Sequence, residues 1–175
     1  DAYSTFGNEE WKQLAIRNLT FIRNHFLQND LLKHSAVEKE GKVLVSIDGF
    51  LEDYAFFVDA LIRFHAVAPA LETLSLAKKL SATVIRLFDD PETGFFWFSA
   101  AGQDQLIARK QDVQDNVMPS SNAVMSHNLL RLSRLTGDMT NEEKVLKCLR
   151  TLREDIVKST PWYSRWAMVF LMLQQ

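Results

Sequence analysis

Two kinds of helix alternate along this chain, and their alternation constrains the fold more than any other feature. Residues 9–27, 69–88 and 141–157 carry apolar residues at helical spacing on one face. Residues 50–66, 120–135 and 162–173 are apolar on nearly every side, which is typical of buried helices. A simple bundle would make all of its helices similarly amphipathic. The alternation predicts an all-α fold of about three helical hairpins in two layers, with one helix of each pair outside and one inside.

The boundaries of these helices carry local signals. Asn8 is a predicted N-cap, Pro69 suits a first helical position, and Gly137 can end the helix before it. Thr140 and Glu143 have the spacing of a capping box. Two long links lead into buried helices, and each predicts a small β-hairpin, from residues 31–35 with 42–47 and from residues 95–99 with 106–110. Because each long link feeds the start of a buried helix, we expect these loops to gather at one end of the fold.

Composition excludes several classes of protein. The chain has 175 residues, 47% of them hydrophobic, and a formal net charge of -2, which fits one soluble domain over residues 1–175. Lys and Arg are scattered, so we expect no nucleic-acid partner, and no apolar run approaches the roughly 20 residues of a membrane span. The single cysteine, Cys148, predicts a packing residue and fits a reducing, cytoplasmic location. The chain begins at Asp1 and ends at Gln175 directly after a helical run, so we expect a piece of a longer protein.

Several motifs resemble one protein family over most of the chain. They are GFLEDYAF at 49–56, GFF at 94–96, RK at 109–110, Asp115, MPSSN at 118–122, LLRL at 129–132 and LTG at 135–137. Their order and spacing are similar to those of YyaL-type proteins, which include the spermatogenesis-associated thioredoxin-like proteins. The resemblance implies a thioredoxin-like domain followed by an (α/α)6 toroid similar to six-hairpin glycosidases and N-acylglucosamine 2-epimerases. Since this chain contains no CxxC motif, it would be part of the toroid only. Ser121 stands where the family has glycine, and glycine permits backbone angles that serine does not.

The starts of the buried helices, with the loops before them, supply the candidate site residues. Carboxylates at a suitable separation can act as acid and base on a sugar, and aromatic rings can stack on its apolar face. The candidate catalytic residues are Glu52, Asp53 and Asp115. The candidate substrate-binding residues are Tyr54, Trp97, Arg109, Lys110, Ser120, Ser121, Asn122, His127, Trp162 and Arg165. No HExxH or paired histidine spacing occurs, so we expect neither a metal nor a cofactor.

Each candidate also has a purely structural interpretation. Glu52 and Asp53 suit the positive end of the helix dipole, and Asp48 could be the N-cap before them. The residues at 120–122 could act only as caps, and the charges at 109–110 could be solvated. Trp97 could anchor a packed loop, and His127 could be a hydrogen-bonded core residue.

Two functions follow, from different classes. The first is a carbohydrate-active fragment, similar to a glycoside hydrolase or a sugar epimerase, that binds a small sugar. The alternative is a non-catalytic helical scaffold that accompanies a thioredoxin-like domain. Half a ring would expose apolar edges such as residues 168–172, so we expect isolated chains to associate, for instance as a homodimer, or to contact the missing part of the protein.

Overall fold

The computed structural model describes residues 1–103 and 109–174, and helices dominate these ranges. The helices are α1 (Ala2–Phe6), α2 (Glu9–His25), α3 (Leu51–Val67), α4 (Leu71–Phe88), α5 (Ser121–Thr136), α6 (Glu142–Lys158) and α7 (Ser164–Leu173). A 3₁₀ turn, Thr160–Tyr163, leads into α7. All of these helices except the short α1 lie within a few residues of segments predicted from the sequence. The all-α prediction is therefore confirmed.

Burial separates the helices into two layers. α3 and α5 form the inner layer, since buried residues occur on most of their turns and the two helices pack against each other. α6 buries one stripe of four residues, Val145, Cys148, Leu149 and Leu152, and α2 buries no residue fully. α4 also buries one face and packs against α3. The predicted alternation of outer and inner helices is thus confirmed for these elements.

Helix caps were predicted with mixed success. The Asn8 side chain accepts a hydrogen bond from the Glu10 amide, and Gly137 ends α5 in the left-handed conformation with φ 74°. The predicted capping box at 140–143 is wrong: Asn141 is the N-cap, and the Thr140 hydroxyl donates to Asp138. Pro69 precedes the first helical residue of α4 by two positions, because Ala70 is an extended N-cap.

The first predicted β-hairpin is confirmed. β2 (Leu31–Lys39) and β3 (Lys42–Asp48) pair antiparallel, and a short strand β1 (Leu27–Gln28) pairs with β2 on its other side. Glu40 and Gly41 form the two-residue turn with φ of 54° and 72°, the positive values that suit the twist of a tight hairpin. The hairpin therefore connects α2 to the start of α3.

The second long link differs from its prediction. Phe96 forms an isolated antiparallel bridge with Asp89, and the Phe98 amide donates to the Lys110 carbonyl at 2.7 Å. The predicted second strand at 106–110 lies partly outside the described residues, which resume at Arg109. Within the described residues the link is a loop pinned to α4 and α5 rather than a regular hairpin.

α7 buries only part of its apolar surface. Trp166 and Val169 are fully buried, whereas Met168, Phe170 and Leu171 are 50%, 49% and 60% exposed. Association through this surface stays a prediction.

Candidate functional site

A cleft lies beside the first turn of α3. It encloses about 430 Å³, and its lining includes Glu52, Asp53, His34, Phe56 and Met118. α3 contributes the two carboxylates, β2 contributes the histidine, and the loop before α5 contributes the methionine. The cleft thus combines acidic groups with apolar walls, as a small-molecule site does.

Asp53 is both a cap and a wall of the cleft. Its carboxylate accepts a hydrogen bond from the Phe50 amide at 2.8 Å, which satisfies a donor at the start of α3. It also faces the Nδ1 atom of His34 at 3.0 Å. Phe50, not Asp48, is the N-cap residue, and Asp48 instead binds Lys33 at 2.6 Å. Two partners therefore hold Asp53 in one orientation.

Glu52 differs from its neighbour in that no hydrogen bond to its carboxyl is seen among the described residues. Burial raises the pKa of Glu52 above its usual value, and the negative charge of Asp53 raises it further. The charge of Asp112 acts in the same direction, while His34 and Lys110 oppose it. Burial and the nearby negative charges therefore favour the protonated form of Glu52 more than water would.

The start of α5 is tied to the loop before it by a dense set of hydrogen bonds. The Ser120 hydroxyl donates to the Asp112 carbonyl at 2.9 Å and accepts from the Ala123 amide at 3.2 Å. The Ser121 amide and hydroxyl both donate to the Asp112 carboxylate at 3.2 Å. Ser121 has no positive φ, so serine fits the backbone at this position and contributes a bond of its own. Ser120 is therefore the N-cap of α5, and Asp112 accepts the hydrogen bonds of Ser121 in the first turn.

Asn122 joins α5 to the loop after α4. Its side chain is fully buried, accepts from the Phe96 amide at 2.7 Å, and donates to the Phe96 carbonyl at 3.0 Å. A second donor bond reaches the Asp112 carbonyl at 2.9 Å. All of these partners are backbone groups, so Asn122 positions the loop.

Asp115 connects the starts of α5 and α7. One carboxylate oxygen accepts from the Ser120 amide at 2.8 Å, and the other accepts from the Ser164 hydroxyl at 2.9 Å and the Arg165 amide at 2.8 Å. Asp115 is 7% exposed. This geometry is that of a shared cap for α5 and α7, and a role of Asp115 as acid or base stays a prediction.

The aromatic candidates are spread apart. Tyr54 is 2% exposed, and its hydroxyl accepts a hydrogen bond from the Leu32 amide at 2.9 Å, so it packs in the core. Trp97 is half-buried and stacks against the Arg109 guanidinium at 5.0 Å from the ring centroid. Trp162 is 57% exposed. None of these three rings is among the residues that line the cleft beside Glu52.

The two basic candidates of the loop before α5 also contact protein groups. The Arg109 guanidinium donates to the Ser99 carbonyl at 2.6 Å. The Lys110 ammonium lies 5.9 Å from the centroid of the Phe98 ring. Both side chains thus help to attach this loop to residues 98–99.

His127 and Arg165 belong to a second group of titratable side chains, on α3, α5 and α7. Asp59 accepts from Arg63 and Arg131, each at 2.7 Å, and lies 3.7 Å from Arg165. The sequence prediction missed Asp59, Arg63 and Arg131. Their i,i+4 spacing, from Asp59 to Arg63 and from His127 to Arg131, was the available signal.

No protein-family model matches the chain. Spermatogenesis-associated protein 20 of Mus musculus is 39% identical over 166 residues, which is 90% of this chain and 21% of the relative. The Rattus norvegicus protein of the same name is 32% identical over 168 residues, which is 91% of this chain and 21% of the relative. The Homo sapiens protein is 37% identical over 114 residues, which is 65% of this chain and 14% of the relative. The chain belongs to the spermatogenesis-associated protein 20 family. It spans about a fifth of the length of the mouse and rat members.

Two solved structures show the fold of this part of the family. A C. acetobutylicum glycoside hydrolase from family 105 superimposes with a TM-score of 0.64 and 13% identity, over 86% of this chain and 44% of the enzyme. The unsaturated glucuronyl hydrolase from Bacillus sp. GL1 superimposes with a TM-score of 0.64 and 15% identity, over 87% of this chain and 42% of the enzyme. At these identities the likeness shows the fold alone. The prediction of a partial (α/α) toroid is confirmed.

Neither a metal-binding cluster nor a membrane-spanning helix occurs among the residues that the structure describes. Within residues 1–103 and 109–174, no three His, Cys, Asp or Glu side chains lie in an arrangement that could hold a metal ion. The helices of the same ranges are too short or too polar to cross a membrane.

Proposed function

We propose that this part of the family is a carbohydrate-active toroid domain in which Glu52 acts as a general acid in the cleft beside α3. The observation that supports this most strongly is the raised pKa of Glu52 in a cleft where a second carboxylate is held in a fixed orientation. Carboxyls in contrasting environments are how enzymes divide acid and base roles between two similar groups. Hydrolysis of a glycosidic bond and epimerisation of a sugar both need such groups.

The surroundings of Glu52 fit this chemistry. Asp53 would supply negative charge or accept a proton, because its carboxylate is fixed by the Phe50 amide and by His34. Phe56 and Met118 provide an apolar wall against which the less polar face of a sugar ring can pack. The fold neighbours are a glycoside hydrolase and a glucuronyl hydrolase, which makes sugars the first class of substrate to test.

The experiment is a Glu52→Gln substitution in the full native chain. Glutamine keeps the size of the side chain but cannot donate a proton as an acid. We expect turnover of the best substrate from a panel of neutral and uronate-containing oligosaccharides to fall about 10²- to 10⁴-fold. The matched control is Glu10→Gln, since Glu10 is exposed on the outer helix α2. Unchanged turnover in Glu52→Gln would rule out the general-acid role.

A non-catalytic scaffold is the second candidate, and a specific observation favours it. Internal hydrogen bonds occupy the side-chain polar atoms of Tyr54, Asp115 and Asn122. In addition, α7 exposes the apolar side chains at positions 168, 170 and 171. A scaffold predicts that the full native chain turns over none of these oligosaccharides. It also predicts that charged substitutions at Phe170 and Leu171 disrupt association with a protein partner or with another part of the chain.

A further inference from the structure

Three guanidinium groups, from α3, α5 and α7, converge on one carboxylate. Asp59 of α3 binds the Nε atom of Arg63 through one oxygen and the guanidinium of Arg131 through the other, each at 2.7 Å. Arg165, in the first turn of α7, lies 3.7 Å from the oxygen that Arg131 already uses. Arg63 has an additional partner in the exposed carboxylate of Asp1, at 2.9 Å. Arg131 and Arg165 therefore share a single acidic oxygen.

Arg165 is poorly paired for a buried guanidinium. Its side chain is only 11% exposed, and 3.7 Å is longer than a hydrogen bond. Its other polar contact is the sulfur of Met168 at 4.0 Å, a weak acceptor, and its Nε atom has no partner within the described residues. Asp115 binds the backbone amide of Arg165, not the guanidinium. The positive charge also stands at the positive end of α7, where the helix dipole disfavours it.

His127 adds a second unsatisfied group to the same place. It lies one turn before Arg131 on α5, and its Nδ1 atom is buried without a partner in the part of the chain that the structure describes. Burial lowers the pKa of His127 to about 4, and the charges of Arg165 and Arg131 contribute to the shift. At neutral pH the ring is therefore uncharged and has one N–H to donate.

We propose that Arg165, Arg131 and His127 form a binding subsite for an anionic group, a carboxylate or a phosphate, of a small-molecule ligand. The planar fork of a guanidinium binds either group through two parallel hydrogen bonds, and such bonds are strongest where water is excluded. Asp59 would hold the guanidiniums together in the unbound protein, since without it three like charges would repel one another.

The subsite lies on the same side of α3 as the cleft. Asp59 follows Glu52 by seven residues, which is two helical turns and about 10 Å along the axis. One ligand with an acidic group could therefore reach both places. The anion subsite does not require Glu52 to be catalytic, so the two proposals can fail separately.

The experiment measures binding by titration calorimetry in the full native chain, with glucuronate, glucose 6-phosphate and glucose as probes. We expect one of the two anionic sugars to bind at least about 10-fold more tightly than glucose. Arg165→Gln should weaken that binding about 10-fold or more, and Arg165→Lys should weaken it less, because the ammonium keeps the charge but lacks the fork. The control is Arg150→Gln, since Arg150 pairs with Glu143 on the exposed face of α6.

The outcomes separate the alternatives. Preference for glucuronate identifies a carboxylate subsite, and preference for glucose 6-phosphate identifies a phosphate subsite. The proposal is overturned if neither anion binds more tightly than glucose up to about 10 mM, or if both Arg165 variants bind as the unsubstituted chain does. A lower unfolding midpoint with unchanged affinity in Arg165→Lys would make the residue structural. Retained anion binding in Glu52→Gln, with turnover unchanged, would refute the general acid and leave the subsite standing.

Discussion

Tyr54→Phe tests whether the tyrosine beside the two cleft carboxylates is part of the core or part of the site. The substitution removes one oxygen and keeps the ring, which packs edge-on against Phe88 at 5.4 Å between centroids. The lost hydroxyl is the acceptor for the Leu32 amide at 2.9 Å. Leu32 is 2% exposed, so its amide has little access to water once the hydroxyl is gone.

The expected loss of stability comes from the Leu32 amide, which the substitution leaves without a hydrogen-bond acceptor. A buried amide without a partner costs about 1–3 kcal/mol of unfolding free energy. The aromatic contact and the apolar burial are unchanged, so no cavity term of consequence is added. We therefore expect Tyr54→Phe to lower the free energy of unfolding by about 1–3 kcal/mol. For a domain of this size, each kcal/mol corresponds to about 2–4 °C in Tm.

Urea unfolding followed by tryptophan fluorescence measures the effect. Tyr3→Phe is the matched control, because Tyr3 lies on α1 and contacts Lys12 through its ring face. The reasoning is refuted if Tyr54→Phe stays within about 0.5 kcal/mol of the unsubstituted chain. Lost sugar affinity at full stability would instead restore Tyr54 as a substrate-binding residue.

Two further predictions concern buried titratable groups. The pKa of His127 is about 4 in the folded chain and higher when unfolded, so the unfolded state binds more protons between these values. Stability should therefore fall as pH drops from about 6.5 to 4, more steeply than in His127→Gln, and parallel curves of unfolding free energy against pH would contradict this. Burial raises the pKa of the Cys148 thiol to about 12, and the thiol donates to the Gly94 carbonyl. Iodoacetamide at pH 8 should then alkylate Cys148 far more slowly in the native chain than in urea, and equal rates would refute its burial.

Part of the fold could be predicted because periodicity is a local property of the chain. The all-round apolar character of residues 50–66 predicted an inner helix, and α3 spans Leu51–Val67. The hairpin predicted from residues 31–35 and 42–47 is formed by β2 and β3. The capping box at 140–143 failed because α6 begins at Glu142 with Asn141 as its N-cap, so Thr140 lies outside the helix and its hydroxyl donates to Asp138.

The sequence located the candidate residues at helix starts and in the loops before them, but it could not divide their roles. Several predicted residues lie at the starts of α3 and α5, yet Asp53, Ser120, Ser121 and Asn122 bind other protein groups there. Asn122 bonds to Phe96, 26 residues away, and Asp115 bonds to Arg165, 50 residues away. Such partners have no signature in local spacing, so a cap and a ligand contact look alike in the sequence.

The sequence by itself determined that α3 and α5 are inner helices, that α2 and α6 are outer ones, and that carboxylates stand at the start of α3. These features follow from side-chain polarity at a fixed helical period, which needs no knowledge of distant partners. Only the tertiary structure decided that Asp53 is held by His34, that Glu52 is the carboxyl with the raised pKa, and that three arginines meet at Asp59. The physical reason is that burial and charge depend on all the groups within a few ångströms, and the fold brings those groups from several separate helices and loops.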